Sequence, residues 1–168
     1  VDANATGAND GSSWTNAFTS VTDALVLTNL NDAVWVAKGT YTLADKNTPI
    51  AVSTNEVDII GGFAGTETTL ADRDLTAIHT TNATIFTGDI NGDDIDGDFS
   101  LNKTDNARCL FELRTNNVTF DGIIFENIYD TSQSGGVEEN GVIFIPNSLN
   151  ANNLKIKNSV FRNNYSNG

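Results

Sequence analysis

Short apolar runs separated by polar turns dominate the chain from Asp32 onward. Nine stand out: AVWVA, VDIIGG, TIFTG, CLFEL, VTFDG, IIFEN, VIFIP, LKIKN and SVFRN. Their length is that of short β-strands. Apolar positions alternate with polar or small ones, as at Val118 and Phe120 or Leu154 and Ile156. One face of each strand is therefore expected to point into a core. The first third differs. SWTNAFTSVTDALVLTNLND sets Phe18, Val21, Leu25 and Thr28 at helical spacing. The spacing predicts a helix from Trp14 to about Leu30, with Thr15 or Asn16 as its cap.

The runs also repeat. NNVTFDGIIFEN begins at Asn116 and NNLKIKNSVFRN at Asn152, an offset of 36 residues. Val118 falls on Leu154, Phe120 on Ile156, Ile124 on Val160, Phe125 on Phe161 and Asn127 on Asn163. Each block follows a further apolar run, so the repeating unit is three short strands, and a repeat of this period indicates a solenoid. The predicted fold is all-β: a right-handed parallel β-helix of about three rungs of three short strands, with an N-terminal capping α-helix. Residues 1–33 form the N-terminal segment and capping helix, and residues 34–168 the rungs. Phe120, Phe125, Ile156 and Phe161 are expected to point inward and stack between rungs. Asn127 and Asn163 are expected at a tight left-handed turn, hydrogen-bonding along the axis. The insert YDTSQSGGVEEN reads as a surface loop. The closing NNYSNG is a turn and is expected to lead into another strand, leaving the last rung with an open C-terminal edge that could support self-assembly.

At this point the sequence resembles a family. TGANDGSSWTNAFTSVTDAL, AVWVAKGTYTL, IIGGFAGTETTLADRD and TIFTGDI together resemble the N-terminal part of bacterial secreted parallel β-helix proteins with a pectate-lyase-like fold, of a kind common in Bacteroidota. The chain is also similar to polymorphic outer membrane proteins, whose repeats carry F-x-x-N; Phe161 to Asn164 fits that motif, and Phe125 with Asn127 is a near match. The resemblance covers essentially the whole chain. It implies a secreted or cell-surface protein, often exported by type IX secretion, of which this chain is the N-terminal portion. It implies carbohydrate or protein partners at the cell surface.

Composition narrows the partners. The 22 acidic and 9 basic side chains give a formal net charge of −13. Such a field repels phosphate backbones, which argues against nucleic acid, and no apolar run is long enough to span a bilayer. Gly, Asn, Asp and Thr are abundant while Pro numbers 2 and Met 0, a mixture suited to strands joined by tight polar turns. Cys109, the single cysteine, lies in CLFEL and reads as a buried inert thiol. The polar start VDANATG suits a mature N-terminus left after cleavage. Sequons at Asn4, Asn82, Asn102, Asn117 and Asn164 follow from the frequency of Asn and Thr.

Candidate chemistry is concentrated in GDINGDDIDGDFSLNKTDN. Asp89, Asn91, Asp93, Asp94, Asp96 and Asp98 supply six oxygen-bearing side chains in ten positions, the ligand type hard cations such as calcium prefer. The loop is not an EF-hand, because Asp94 and Ser100 stand where that motif needs Gly and Glu; its other reading is a solvated loop whose Asp and Asn side chains cap turns. Glycosidase chemistry needs two carboxylates across a cleft, and the strand-borne candidates are Asp58, Glu112, Asp121 and Glu126. The motifs N-T-D and R-I-K of polygalacturonase-like enzymes are absent, so these carboxylates are expected to be structural. His79, the single histidine, reads as a loop or strand-edge residue. Trp14 and Trp35 could stack on sugars; packing under the cap is the expected role. The leading functional expectation is a non-catalytic extracellular adhesin-like or structural module presenting loops or assembling through its rungs, with a polysaccharide lyase or glycoside hydrolase as the alternative.

Overall fold

A computed structural model describes residues 1–131, 141–146 and 153–166. One short helix, α1 (Val21–Val26), precedes the strands. These are β1 (Ala33–Ala37), β2 (Gly39–Thr42), β3 (Ile50–Val52), β4 (Asp58–Phe63), β5 (Thr84–Thr87), β6 (Phe111–Leu113), β7 (Thr119–Asp121), β8 (Ile123–Glu126), β9 (Tyr129–Asp130), β10 (Ile143–Phe144), β11 (Lys155–Lys157), β12 (Val160–Arg162) and β13 (Tyr165–Ser166). Every strand pair is parallel. The first sheet runs β1-β4-β7-β11, the second β2-β5-β8-β12 and the third β3-β6-β10, with β9 and β13 in a separate pair. The first three passes thus enter the first, second and third sheets in that order, and the fourth, among the described residues, enters the first two and then pairs β13 with β9. Parallel neighbours need a long crossover, and here the crossover consists of the strands of the other sheets.

All nine apolar runs contain a strand, and the 36-residue offset is the register itself. Thr119 pairs with Lys155, Ile124 with Val160 and Tyr129 with Tyr165. The count of passes needs correction. Four strands stand in each of the first two sheets; the nine runs supply all four of the first, whereas β2 of the second sheet and β3 of the third went unread. GTYT has one large apolar residue among small and hydroxyl side chains, and Ile50–Val52 is a three-residue stretch directly after Pro49. Of the insert, Tyr129–Asp130 forms β9 and Tyr129 stacks on Tyr165 at 5.1 Å; residues 132–140 lie outside the described residues.

Inward positions align from pass to pass. Val34, Ile59, Phe120 and Ile156 share one column. Tyr41, Phe86, Phe125 and Phe161 share another, with successive rings 5.4, 6.5 and 4.8 Å apart. Ile50, Phe111 and Ile143 face them from the third sheet. Phe120 and Phe125 are completely buried, each such side chain contributing about 1.5–3 kcal/mol. Ile156 and Phe161, expected inside, are 43% and 46% exposed. They keep the inward register over Phe120 and Phe125, but among the described residues no strand covers their other side.

The helix is shorter than its spacing predicts. Ser20, not Thr15 or Asn16, is the N-cap, its side chain accepting from the Asp23 N–H. Before it, side chains compete with helix for the backbone. Asn16 Oδ1 accepts from Ala8 N–H, Ser13 Oγ from Asn16 N–H and Asn9 Oδ1 from Thr19 N–H, which hold residues 8–19 in turns. Val21, Ala24 and Leu25 of α1 still join the core with Val34, Ile50 and Val52.

Asparagine fixes the corners. Among the described residues nine non-glycine residues have positive φ, and eight are Asn. Asn31, Glu56, Asn117 and Asn153 each stand two residues before a strand of the first sheet, at φ 68°, 56°, 58° and 67°. Asn127 and Asn163 adopt the expected left-handed conformation, at 58° and 53°. They do not bond to each other, however. Asn127 Nδ2 reaches Thr87 Oγ1 and Asn163 Nδ2 reaches Asp96 Oδ1. The axial asparagine bond is made instead by Asn153 Nδ2 to Asn117 Oδ1, at 2.9 Å. Asn164 of F-x-x-N donates to Phe125 O and accepts from Ile128 N–H, stitching its pass to the preceding one.

Candidate functional site

The acidic loop leaves β5 and returns before β6. Asp89 is buried at its root, and its carboxylate accepts from the N–H groups of Gly92, Asp93 and Asp94 at 2.7, 3.2 and 3.0 Å. Asp105 closes the loop by accepting from Asn91 N–H at 2.9 Å. Those bonds bring carboxylate oxygens of Asp89, Asp93 and Asp105 within 4.8 Å of one another. Asp93 titrates above the usual carboxylate range, because of lost hydration first and then the charges of Asp105, Asp89 and Asp94. Three carboxylates at this spacing fit part of the shell of a calcium ion, which takes 6–8 oxygens at about 2.3–2.6 Å.

Of the six residues predicted from sequence, Asp89 and Asp93 meet in this cluster and the other four do not. Asn91 contributes its backbone N–H. Asp94 forms a buried ion pair with Lys103 at 2.8 Å and accepts from Asn106 Nδ2. Asp96 accepts from Asn163, and Asp98 caps Ser100. The third member, Asp105, lies inside the quoted loop but outside the ten-residue window. The Asn91–Asp105 closure that brings it near has no local sequence signal.

The strand-borne carboxylates do not converge. Asp58 and Asp121 lie on the first sheet, Glu126 on the second and Glu112 on the third. Glu112 pairs with Arg114 and Glu126 with Arg162. Asp121 binds Arg73 Nη2 at 3.0 Å and Asn158 Nδ2 at 2.9 Å. Its partial burial raises the pKa, but the hydrogen bonds from Arg73 and Asn158 and the charges of Arg73 and Lys157 outweigh this and hold it below the usual range.

Arg73 was missed from sequence. It follows a 3₁₀ turn over Leu70–Asp72 that is closed by a capping box between Thr69 and Asp72. Its side chain is 3% exposed, lies over the Phe63 ring at 5.8 Å and presses against Gly122. The segment after β4 is thereby bolted across the first sheet. His79 contributes nearby, its Nε2 lying 2.7 Å from Asn158 O. Trp35 lies on the outer side of β1, stacked on Phe63 at 4.7 Å, and Trp14 leans on both from the turn region before α1. Cys109 is buried, as expected.

No protein-family model, curated protein or solved structure matches the chain. Among the described residues no helix is long and apolar enough to cross a membrane.

Proposed function

We propose that the chain is a right-handed parallel β-helix module of a cell-surface or secreted protein, akin to the bacterial β-helix proteins it resembles. It is non-catalytic, and presents loops to carbohydrate or protein partners or assembles through its rungs. One observation carries this reading: the outward carboxylates are distributed over three sheets, and those nearest to catalytic placement are already neutralised by Arg73, Arg114 and Arg162. Glycoside hydrolysis needs two carboxyl groups facing one bond, one of them free to titrate as an acid. What varies between passes is instead the loops, above all residues 64–83 and 88–110. The net charge of −13 suits a solvated exterior.

Incubation with pectin, polygalacturonate, alginate and xylan is expected to release neither reducing ends nor unsaturated products. Turnover that disappears on Glu112→Gln, Asp121→Asn or Glu126→Gln would overturn the proposal in favour of a polysaccharide-degrading enzyme.

A further inference from the structure

A cleft of about 400 Å³ opens between Val1, α1, the preceding turns and the edge strand β1. That volume lies within the range of small-ligand sites. Trp14, Trp35, Phe18, Asp10, Ser13 and Asp32 line it, and no Lys or Arg side chain does. The two indoles are half-buried, with centroids 6.4 Å apart and planes inclined by 34°. Both are held in place. Trp35 stacks on the fully buried Phe63, and Trp14 donates its Nε1–H to Glu67 O at 2.9 Å. Glu67 is itself fixed, its carboxylate accepting from the N–H groups of Ala64, Gly65 and Thr66. Asp10 and Asp32 are exposed and steadied by local bonds, Asp10 from Ser12 N–H and Asp32 from Asn29 N–H.

We infer that this cleft binds a neutral saccharide. The C–H face of a pyranose ring is weakly positive and packs on the negative face of an indole. Carboxylates accept strongly from sugar hydroxyls. Rings already locked in position lose little entropy on binding. Charge selects the class of sugar. Two carboxylates line the cleft against one cationic group, the Val1 ammonium, whose charge is taken up by a bond to Trp35 O, and with the net charge of −13 they repel uronates and sulfated glycans. The inference deepens the proposed function and rests on it only for the absence of cleavage.

The test is titration of the intact chain with xylohexaose, cellohexaose and mannohexaose, with an oligogalacturonate as the acidic comparison. Tryptophan emission, calorimetry and the two indole N–H resonances are followed. At least one neutral oligosaccharide should bind saturably with Kd below about 1 mM and shift both indole signals. Asp32→Ala, an exposed position, and Trp35→Ala should each weaken binding roughly tenfold or more. If Trp35→Ala does not fold, Asp32→Ala and the wild-type indole shifts decide. No binding by any neutral sugar, shifts elsewhere than the indoles, unchanged affinity in Asp32→Ala, or tighter binding of the galacturonate would each overturn the inference. Binding accompanied by cleavage of the sugar would leave the cleft standing and remove the non-catalytic reading instead.

Discussion

Gly122→Ala is expected to be far more damaging than an exposed turn substitution. Gly122 has φ +71°, and a Cβ there would lie 2.3 Å from Arg73 Nη2 and 3.2 Å from its Cζ. The left-handed conformation alone costs an alanine about 1–2 kcal/mol. The guanidinium must also retreat by roughly 1 Å to restore a normal contact distance. It has little room to do so, being 3% exposed and bonded to Asp121 at 3.0 Å. Breaking a buried ion pair costs about 3–5 kcal/mol when one partner is removed; displacing it should forfeit part of that, for a total of about 3–5 kcal/mol. Gly97→Ala is the reference, since Gly97 has φ +76° with nothing within 4 Å of a Cβ; it should cost at most about 1–2 kcal/mol. Urea unfolding followed by circular dichroism measures all three quantities, including Gly122→Ala in an Arg73→Ala background, where its cost should fall by about 2 kcal/mol. Equal costs at Gly122 and Gly97, or an undiminished cost without Arg73, would refute the clamp. The pair also fixes an acid dependence. Asp121 is depressed in the folded chain, so its contribution is fully present above its unfolded pKa of about 3.9 and is lost as pH falls through the folded value. Arg73→Ala should flatten that part of the stability–pH curve.

Glu56→Asn should stabilise the chain by about 0.5–1 kcal/mol, because Glu56 holds φ +56° at a corner where the other three passes use asparagine; a loss of stability in the same urea assay would contradict the column assignment. If Asp89, Asp93 and Asp105 hold calcium, 10 mM calcium should stabilise the fold by on the order of 1–3 kcal/mol and EDTA should reverse it, with Asp105→Asn abolishing the shift. An unchanged melting temperature would exclude the site. The isolated chain should self-associate through Ile156 and Phe161, so light scattering should show assemblies that Phe161→Glu disperses; a monomer at high concentration would refute this.

Strands were legible where apolar residues alternate over at least one full inward face, as in VTFDG and IIFEN. They were not legible where pairing partners supply the reason for the strand. Gly39–Thr42 is extended because it lies beside Thr84–Thr87, with Tyr41 landing on Phe86, and a single large apolar residue, Tyr41, gives no alternation to read. The helix was over-read because helical spacing over Phe18, Val21 and Leu25 takes no account of side chains that satisfy the backbone otherwise. Asn9, Ser13 and Asn16 do so before Ser20. In the candidate site, the oxygen-rich loop was legible as composition, whereas its geometry was not. Asp105 reaches Asp89 through a closure spanning fourteen residues, and Arg73 reaches Asp121 across 48.

The asparagines separate what belongs to the fold from what belongs to function. Eight of them hold left-handed turns, and three such positions recur at the 36-residue offset: Asn117 with Asn153, Gly122 with Asn158 and Asn127 with Asn163. A residue explained by the repeat carries no evidence of a ligand. That reasoning removes the sequon at Asn117, where the repeated positive φ already accounts for Asn, and it removes Asn127 and Asn163. The features left over lie where the repeat is interrupted: the aromatic cleft ahead of β1, the Arg73 segment after β4 and the acidic loop after β5. Strand positions must satisfy neighbours on both sides and tolerate little variation in shape. Insertions at the corners are free of that constraint. Specific recognition by this chain should therefore be sought in those three regions before the regular strand faces of the later passes.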